Sequence, residues 1–150
     1  MTAPRDRYQA LLEGAFPLTD AMGLELTHLD AGHAATRMPL ARNRNVHGTA
    51  FAGSLSAQAM LTGWVLLTWH LEQAGLGDAL LVQREATIRY LEPVTGDPVC
   101  RCAIDAAELE RFRVELTRTG KARITAEVEI GDGATPAAVL TSGYSARLKD

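Results

Sequence analysis

Cysteine occurs only twice in this 150-residue chain, at Cys100 and Cys102, and aromatic residues make up just 5%. Two cysteines two residues apart in a strand share a face and are not expected to bridge, so nothing calls for an oxidising compartment. Basic blocks are missing as well. Fifteen Lys and Arg are interspersed with eighteen Asp and Glu, for a formal charge of −3, which argues against a nucleic-acid partner. The opening residues, MTAPRDRYQALLEG, carry charges where a secretory signal has an apolar run, and a cytoplasmic location is expected. His28, His33 and His70 are scattered without metal-ligand spacing, so no metal site is expected. A Gly-x-Ser-x-Gly elbow, a P-loop and a dinucleotide fingerprint are all lacking, which argues against a serine hydrolase of the α/β type.

Charge is absent from one long stretch: Asn45 to Leu71 holds no Asp, Glu, Lys or Arg. Its length would span a bilayer, but Ser54, Ser56, Gln58, Thr62, Thr68 and the glycines dilute its hydrophobicity, and no membrane span is expected. A helix buried in a protein core explains the same pattern.

What is present is ordinary globular composition, 47% hydrophobic and 22% charged, in a length that fits one domain over residues 1–150. Helical spacing of Tyr8, Leu11, Leu12 and Ala15 predicts a first helix over 5–15, closed by Pro17. Two short strands follow, 24–29 and 34–40, around the turn Asp30-Ala31-Gly32-His33. Phe51 to about Gln73 reads as one long helix, ended by Gly75 and Gly77. Strands are expected at 80–91 and 98–105, and again at 122–130 and 136–148. The stretch 108–119 fits both periods and is read as a helix stopped by Gly120. Strands joined by turns around one apolar helix predict an α+β fold: a curved antiparallel sheet wrapped around a long central helix. Sheet edges left open would pair with a second copy.

Asn43-Arg44-Asn45-Val46-His47-Gly48-Thr49-Ala50-Phe51-Ala52-Gly53-Ser54-Leu55 is the most unusual segment. It leads into the long helix, whose first backbone N–H groups lack internal partners and carry the positive end of its dipole. Gly48 and Gly53 let another molecule approach that backbone. Two readings stand side by side: an oxyanion or anion site, or a helix start capped by Asn45 or Thr49 with glycines that only pack. Further along, Ser54, Gln58 and Thr62 recur every fourth residue and form one polar stripe. Such a stripe faces a ligand channel or a partner, or bonds back to the preceding turn.

These residues resemble hotdog-fold thioesterases, in particular the YiiD C-terminal type. The likeness rests on Asn-x-Asn-x-x-Gly-Thr-x-Phe-(Gly/Ala)-Gly-Ser-Leu at Asn43 to Leu55 and on Leu61-Thr62-Gly63-Trp64. It extends through Ile88-Arg89-Tyr90-Leu91-Glu92-Pro93-Val94 with Gly96-Asp97, and Gly120-Lys121-Ala122-Arg123-Ile124, so that it covers nearly the whole chain. The resemblance implies the hotdog fold and a homodimer or homotetramer. It also implies acyl groups carried on coenzyme A or acyl carrier protein, hydrolysed at the dimer interface near the helix start with no cofactor.

The better-understood branch that resembles phenylacetate-pathway thioesterases has Asn-x-x-Gly-x-x-His-Gly-Gly, with an Asp further along the helix. Asn45, Gly48 and Gly53 match that pattern. Phe51 stands at the His position, Ala52 replaces the first paired glycine, and Met60 takes the place of the Asp. The helix has no carboxylate before Glu72, so that route is not available from it. The expected catalytic set is therefore Asn45, His47, Gly53 and Ser54. Asn45 and His47 would position or activate water, and Gly53 would donate its backbone N–H to the oxyanion. Gly48, Thr49, Phe51, Gln58 and Arg89 are the expected substrate contacts, Arg89 (like Arg84) as a partner for coenzyme A phosphates. Glu85 is expected to face outward. A hotdog enoyl hydratase or dehydratase, or a non-catalytic acyl-carrier binding module, are the alternatives.

Overall fold

A computed structural model of the chain describes residues 3–150, leaving the first two residues of the charged N-terminal stretch outside it. Helix α1 spans Pro4–Ala15 with proline in its first turn, where a missing N–H costs nothing, and buries Tyr8 and Leu12. Pro17 does more than close it. A second proline-led helix, α2 (Pro17–Met22), begins there and ends on Gly23 at φ 65°. The six-residue α2 is too short to leave a periodic trace, which is why it escapes a reading by spacing.

Strands β1 (Glu25–Leu29) and β2 (His33–Arg37) form the first hairpin. His33 belongs to β2 rather than to the turn, and its N–H donates to the Asp30 carboxylate at 3.1 Å. β2 ends before Pro39. The chain then makes a single 3-10 turn, Leu40–Arg42, where a continuous strand to residue 40 was expected.

The long uncharged segment is helix α3, Ala52–Gln73. After it come β3 (Leu80–Tyr90) and β4 (Val99–Ala103), then α4 (Ala106–Thr119), β5 (Lys121–Gly131) and β6 (Ala138–Arg147). In α4 the helical period wins. Leu109, Phe112 and Leu116 share the buried face, Arg111 pairs with Glu108 and Glu115, and Gly120 at φ 79° stops the helix.

All strand pairs are antiparallel, in the order β1-β2-β4-β5-β6-β3. The sheet curves around α3 in the hotdog arrangement. β5 shows the mechanism most cleanly: Ala122, Ile124, Ala126, Val128 and Ile130 are buried, while Lys121, Arg123, Thr125, Glu127 and Glu129 are exposed. Leu55, Ala59, Val65, Leu66 and Leu67 of α3 fill the interior against that face. Cys100 and Cys102 are buried free thiols side by side on the inner face of β4, and burial holds the Cys102 thiol up to about 12. Among the described residues, no helix is long and apolar enough to cross a membrane.

β3 lies at one edge of the sheet, with only β6 beside it. Leu80, Val82 and Tyr90 on this strand, and Leu91 just beyond it, are exposed large hydrophobic residues. One flank of its backbone and part of its apolar surface are thus left open.

Candidate active site

The segment before α3 folds as a tight hairpin closed by one side chain. The Gly48 N–H donates to Asn45 O at 3.2 Å and the Asn45 N–H to Thr49 O at 2.7 Å, with Arg44 bridged to Ala50. Gly48, at φ 80°, supplies the left-handed residue such a loop needs. The Asn45 amide works at both ends. Its Oδ1 accepts from the N–H groups of His47 (2.8 Å) and Thr49 (3.2 Å), while Nδ2 donates to Thr49 Oγ1 at 2.9 Å. Asn43 anchors the base of the loop: its buried Nδ2 donates to Met22 O (2.9 Å) and Pro39 O (2.8 Å).

Neither Asn45 nor Thr49 caps α3. The capping position is Phe51, which provides no side-chain hydrogen bond. The Phe51 N–H goes back to Asn43 O at 2.7 Å and the Leu55 N–H to Phe51 O at 3.1 Å. The N–H groups of Ala52, Gly53 and Ser54 are therefore left without helical partners at the positive end of a 22-residue helix. A Cβ on Gly53 would meet the half-exposed Phe51 ring, with Cζ at 2.7 Å, so a side chain there would move that ring aside.

A cleft of about 340 Å³ opens beside this helix start, walled by Asn45, Thr49, Ala52, Leu55, Tyr90 and Glu92. Tyr90 and Glu92 had no expected role. Tyr90 leaves the end of β3 on the inner face and donates its hydroxyl to Ala52 O at 3.0 Å. Burial raises the Tyr90 pKa, keeping the hydroxyl protonated. Period-2 alternation along β3 would have turned Tyr90 and Arg89 to opposite faces, but only the fold brings Tyr90 to the helix start.

The other expected residues separate. His47 and Gly48 are exposed at the hairpin tip, and His47 is not on the cleft wall. Ser54 is half-buried in the first turn. Gln58, fully buried, faces the sheet and donates to Pro98 O (3.0 Å) and Thr36 O (3.3 Å), away from the cleft wall. Thr62 donates to Gln58 O at 2.7 Å and meets the Thr36 hydroxyl at 2.7 Å. The stripe is thus a core polar seam from Gln58 onward, with Gln58 Oε1 the unpartnered atom. Arg89 is exposed on the outer face of β3, opposite Tyr90, and Glu85 is exposed beside a bulge in the same strand.

The remaining motif residues hold the frame. A Cβ on Gly63 would lie 2.9 Å from the Tyr144 hydroxyl, which donates to Met60 O at 3.1 Å. Trp64 meets Phe16 edge-to-face, with centroids 5.0 Å apart. Asp97 accepts the Leu40 N–H at 2.8 Å and pairs with Arg37. Among the described residues, no group of three or more His, Cys, Asp or Glu is placed to hold a metal ion.

Comparison with known proteins agrees with this fold. Residues 6–147 match the family model described as "Putative thioesterase (yiiD_Cterm)". A structure from Chlorobaculum tepidum TLS, of unknown function, is 26% identical with a TM-score of 0.90, covering 97% of this chain and 94% of its own. A "putative thioesterase" from Shewanella oneidensis is 26% identical, with a TM-score of 0.81 and 97% of each chain covered. A "probable thioesterase" of unknown function from Pseudomonas aeruginosa is 25% identical, with a TM-score of 0.82 over 98% of this chain and 97% of its own.

Proposed function

The chain belongs to the YiiD C-terminal thioesterase family, and from that premise we propose that it hydrolyses acyl thioesters carried on coenzyme A or an acyl carrier protein. The observation that carries this reading is the uncapped start of α3 opening onto a cleft. Free N–H groups at a helix N-terminus are oriented donors for the oxygen that becomes negative when water attacks a thioester carbonyl. The Gly53 N–H is the donor, next along the helix after Ala52 on the cleft wall. Gly48, Thr49 and Phe51 shape the approach. Asn45 keeps the hairpin closed and the cleft wall in place, and Ser54 adds a hydroxyl in the same turn.

The active unit is a cytoplasmic homo-oligomer of a single domain, joined through the open edge of β3 so that its exposed apolar residues are covered. The cleft then lies at the joint, since Tyr90 ends that strand. A monomer at micromolar concentration in sedimentation would overturn this assembly.

A binding module without turnover is the second reading, favoured by one fact. α3 has no carboxylate before Glu72, and Glu72 is held by Arg7 at 2.7 Å and by Tyr8. Thiol release from acyl-CoAs and acyl carrier proteins, acetyl to palmitoyl, separates the two. Chain-length-dependent release supports the hydrolase; binding without release across the panel supports the module.

A further inference from the structure

We infer that Glu92 is the water-activating base of the proposed thioester hydrolysis, delivered from the β3–β4 connection rather than from the helix. This rests on the hydrolase reading and adds the one group that reading lacks.

The cleft beside the α3 start has a single acidic residue on its wall, Glu92. Its volume of about 340 Å³ exceeds by roughly tenfold the ≈ 30 Å³ share of one water in the liquid, so a carbonyl and a water fit together. Ala52 and Asn45, the first helical residue and the hairpin clamp, line the same cleft as Glu92. The cleft is thus lined both by a carboxylate and by the first residue of a helix whose opening N–H groups are free, the two kinds of group that water attack on a carbonyl uses.

The backbone that carries Glu92 is fixed on both sides. The Leu91 and Glu92 N–H groups both donate to Ala137 O, at 2.8 and 3.0 Å. Two residues on, Val94 O accepts the Ala50 N–H at 2.9 Å, which ties this connection to the chain entering α3. Pro93 between them has a fixed φ. Tyr90 completes the frame through Ala52 O.

Neighbouring acids have other work. Asp97 holds the Leu40 N–H and Arg37, and Asp132 accepts from the Gly96 N–H at 2.8 Å. Glu92 differs from both: among the described residues its carboxylate has no ion pair and no hydrogen bond. The Glu92 carboxylate is exposed at the cleft, on backbone fixed at both sides, with no protein partner competing for it.

The step balances without a co-reactant. Glu92 takes one proton from water as the water oxygen bonds to the thioester carbon, and the carbonyl oxygen takes the negative charge against the Gly53 N–H. Collapse breaks the C–S bond, and the proton passes from Glu92 to the departing thiolate. A carboxylic acid and a free thiol leave, and Glu92 is again ionised.

The test is steady-state thiol release by the full-length protein, Glu92→Gln and Glu92→Ala, on whichever acyl thioester the wild type turns over best. Since the side chain makes no bonds, both variants are expected to melt with the wild type. Glu92→Gln should lose at least ~100-fold in kcat with KM within threefold, in the range a positioned base supplies. Added formate should restore Glu92→Ala at least tenfold, which a structural role would not allow. A Glu92→Gln kcat within threefold of wild type overturns the assignment and leaves the hydrolase standing, as does a loss confined to KM. No thiol release by the wild type from any thioester overturns the hydrolase reading itself.

Discussion

Ser54 and Gln58 stand one helical turn apart on α3, and that turn carries the helix from an opening at the surface into the core. At the first turn the backbone N–H groups are free and Phe51 is half exposed, while the cleft stands open beside them. By Gln58 and Thr62 the polar groups are sealed against β2 and the chain entering β4, bonded to Thr36 and Pro98. One stripe of polar residues therefore runs through two environments. Unsatisfied donors at an accessible end suit chemistry, whereas satisfied donors in the interior specify packing. The comparison predicts that changes deep in the helix act on stability and changes at its start act on turnover.

Substitutions in the sealed half should show the largest effects on stability. Gln58→Ala removes the donor to Pro98 and Thr36 and leaves a void, and is expected to cost about 2–4 kcal/mol. Chemical denaturation reads this directly; a turnover defect with an unchanged midpoint would instead return Gln58 to the site. Gly63→Ala places a Cβ 2.9 Å from the Tyr144 hydroxyl. Overpacking there should cost about 1–3 kcal/mol, and an unchanged melting temperature would mean Tyr144 yields freely.

At the open half the sign of the comparison reverses. Asn45→Ala should lower acyl-CoA turnover at least ~10-fold, on the order of 1.4 kcal/mol of transition-state stabilisation, because the hairpin forming one cleft wall loses its clamp. Turnover equal to wild type would remove Asn45 from the site. His47→Ala, run alongside, should fall far less, since its ring is exposed outside the cleft wall.

The smallest effect is a pH dependence at the far end of α3. Burial holds the His70 pKa below its ordinary value, and its ring meets Leu109 O at 3.2 Å. The unfolded chain therefore binds the proton more readily. This contribution to stability is present above the unfolded pKa of ~6.5 and is lost as pH falls from there through the folded value. His70→Asn should flatten the decline in melting temperature between pH 7.5 and 5.5; an unchanged slope would mean the titration lies elsewhere.

Legibility in the sequence follows the range of the signal. β5 and α3 are read almost to the residue, because alternation over 122–130 and an uncharged run over 45–71 each repeat one local rule many times. α2 and the 3-10 turn at Leu40–Arg42 are missed, being too short for any period to accumulate. In the site, the Asn43 to Leu55 segment stands out through its composition, and it does form the hairpin and helix start. Asn45 is the instructive case: its residue type suggests a cap or a ligand, and its place shows a hairpin clamp. Tyr90 and Glu92 lay in a motif visible in the sequence, but nothing local said that this strand end meets the start of a helix some forty residues earlier.

The sequence by itself determined the α+β class, the buried central helix and the unusual segment that leads into it, since periodicity, charge and turn chemistry are properties of neighbouring residues. Only the tertiary structure decided which polar groups remain free. Gln58 Nε2 and the Thr62 hydroxyl find partners at Thr36 and Pro98, distant in sequence, while Glu92 is brought, unpaired, to the cleft at the start of α3. Hydrogen bonding and burial depend on what the fold lays beside each group, and spacing along the chain carries no record of that.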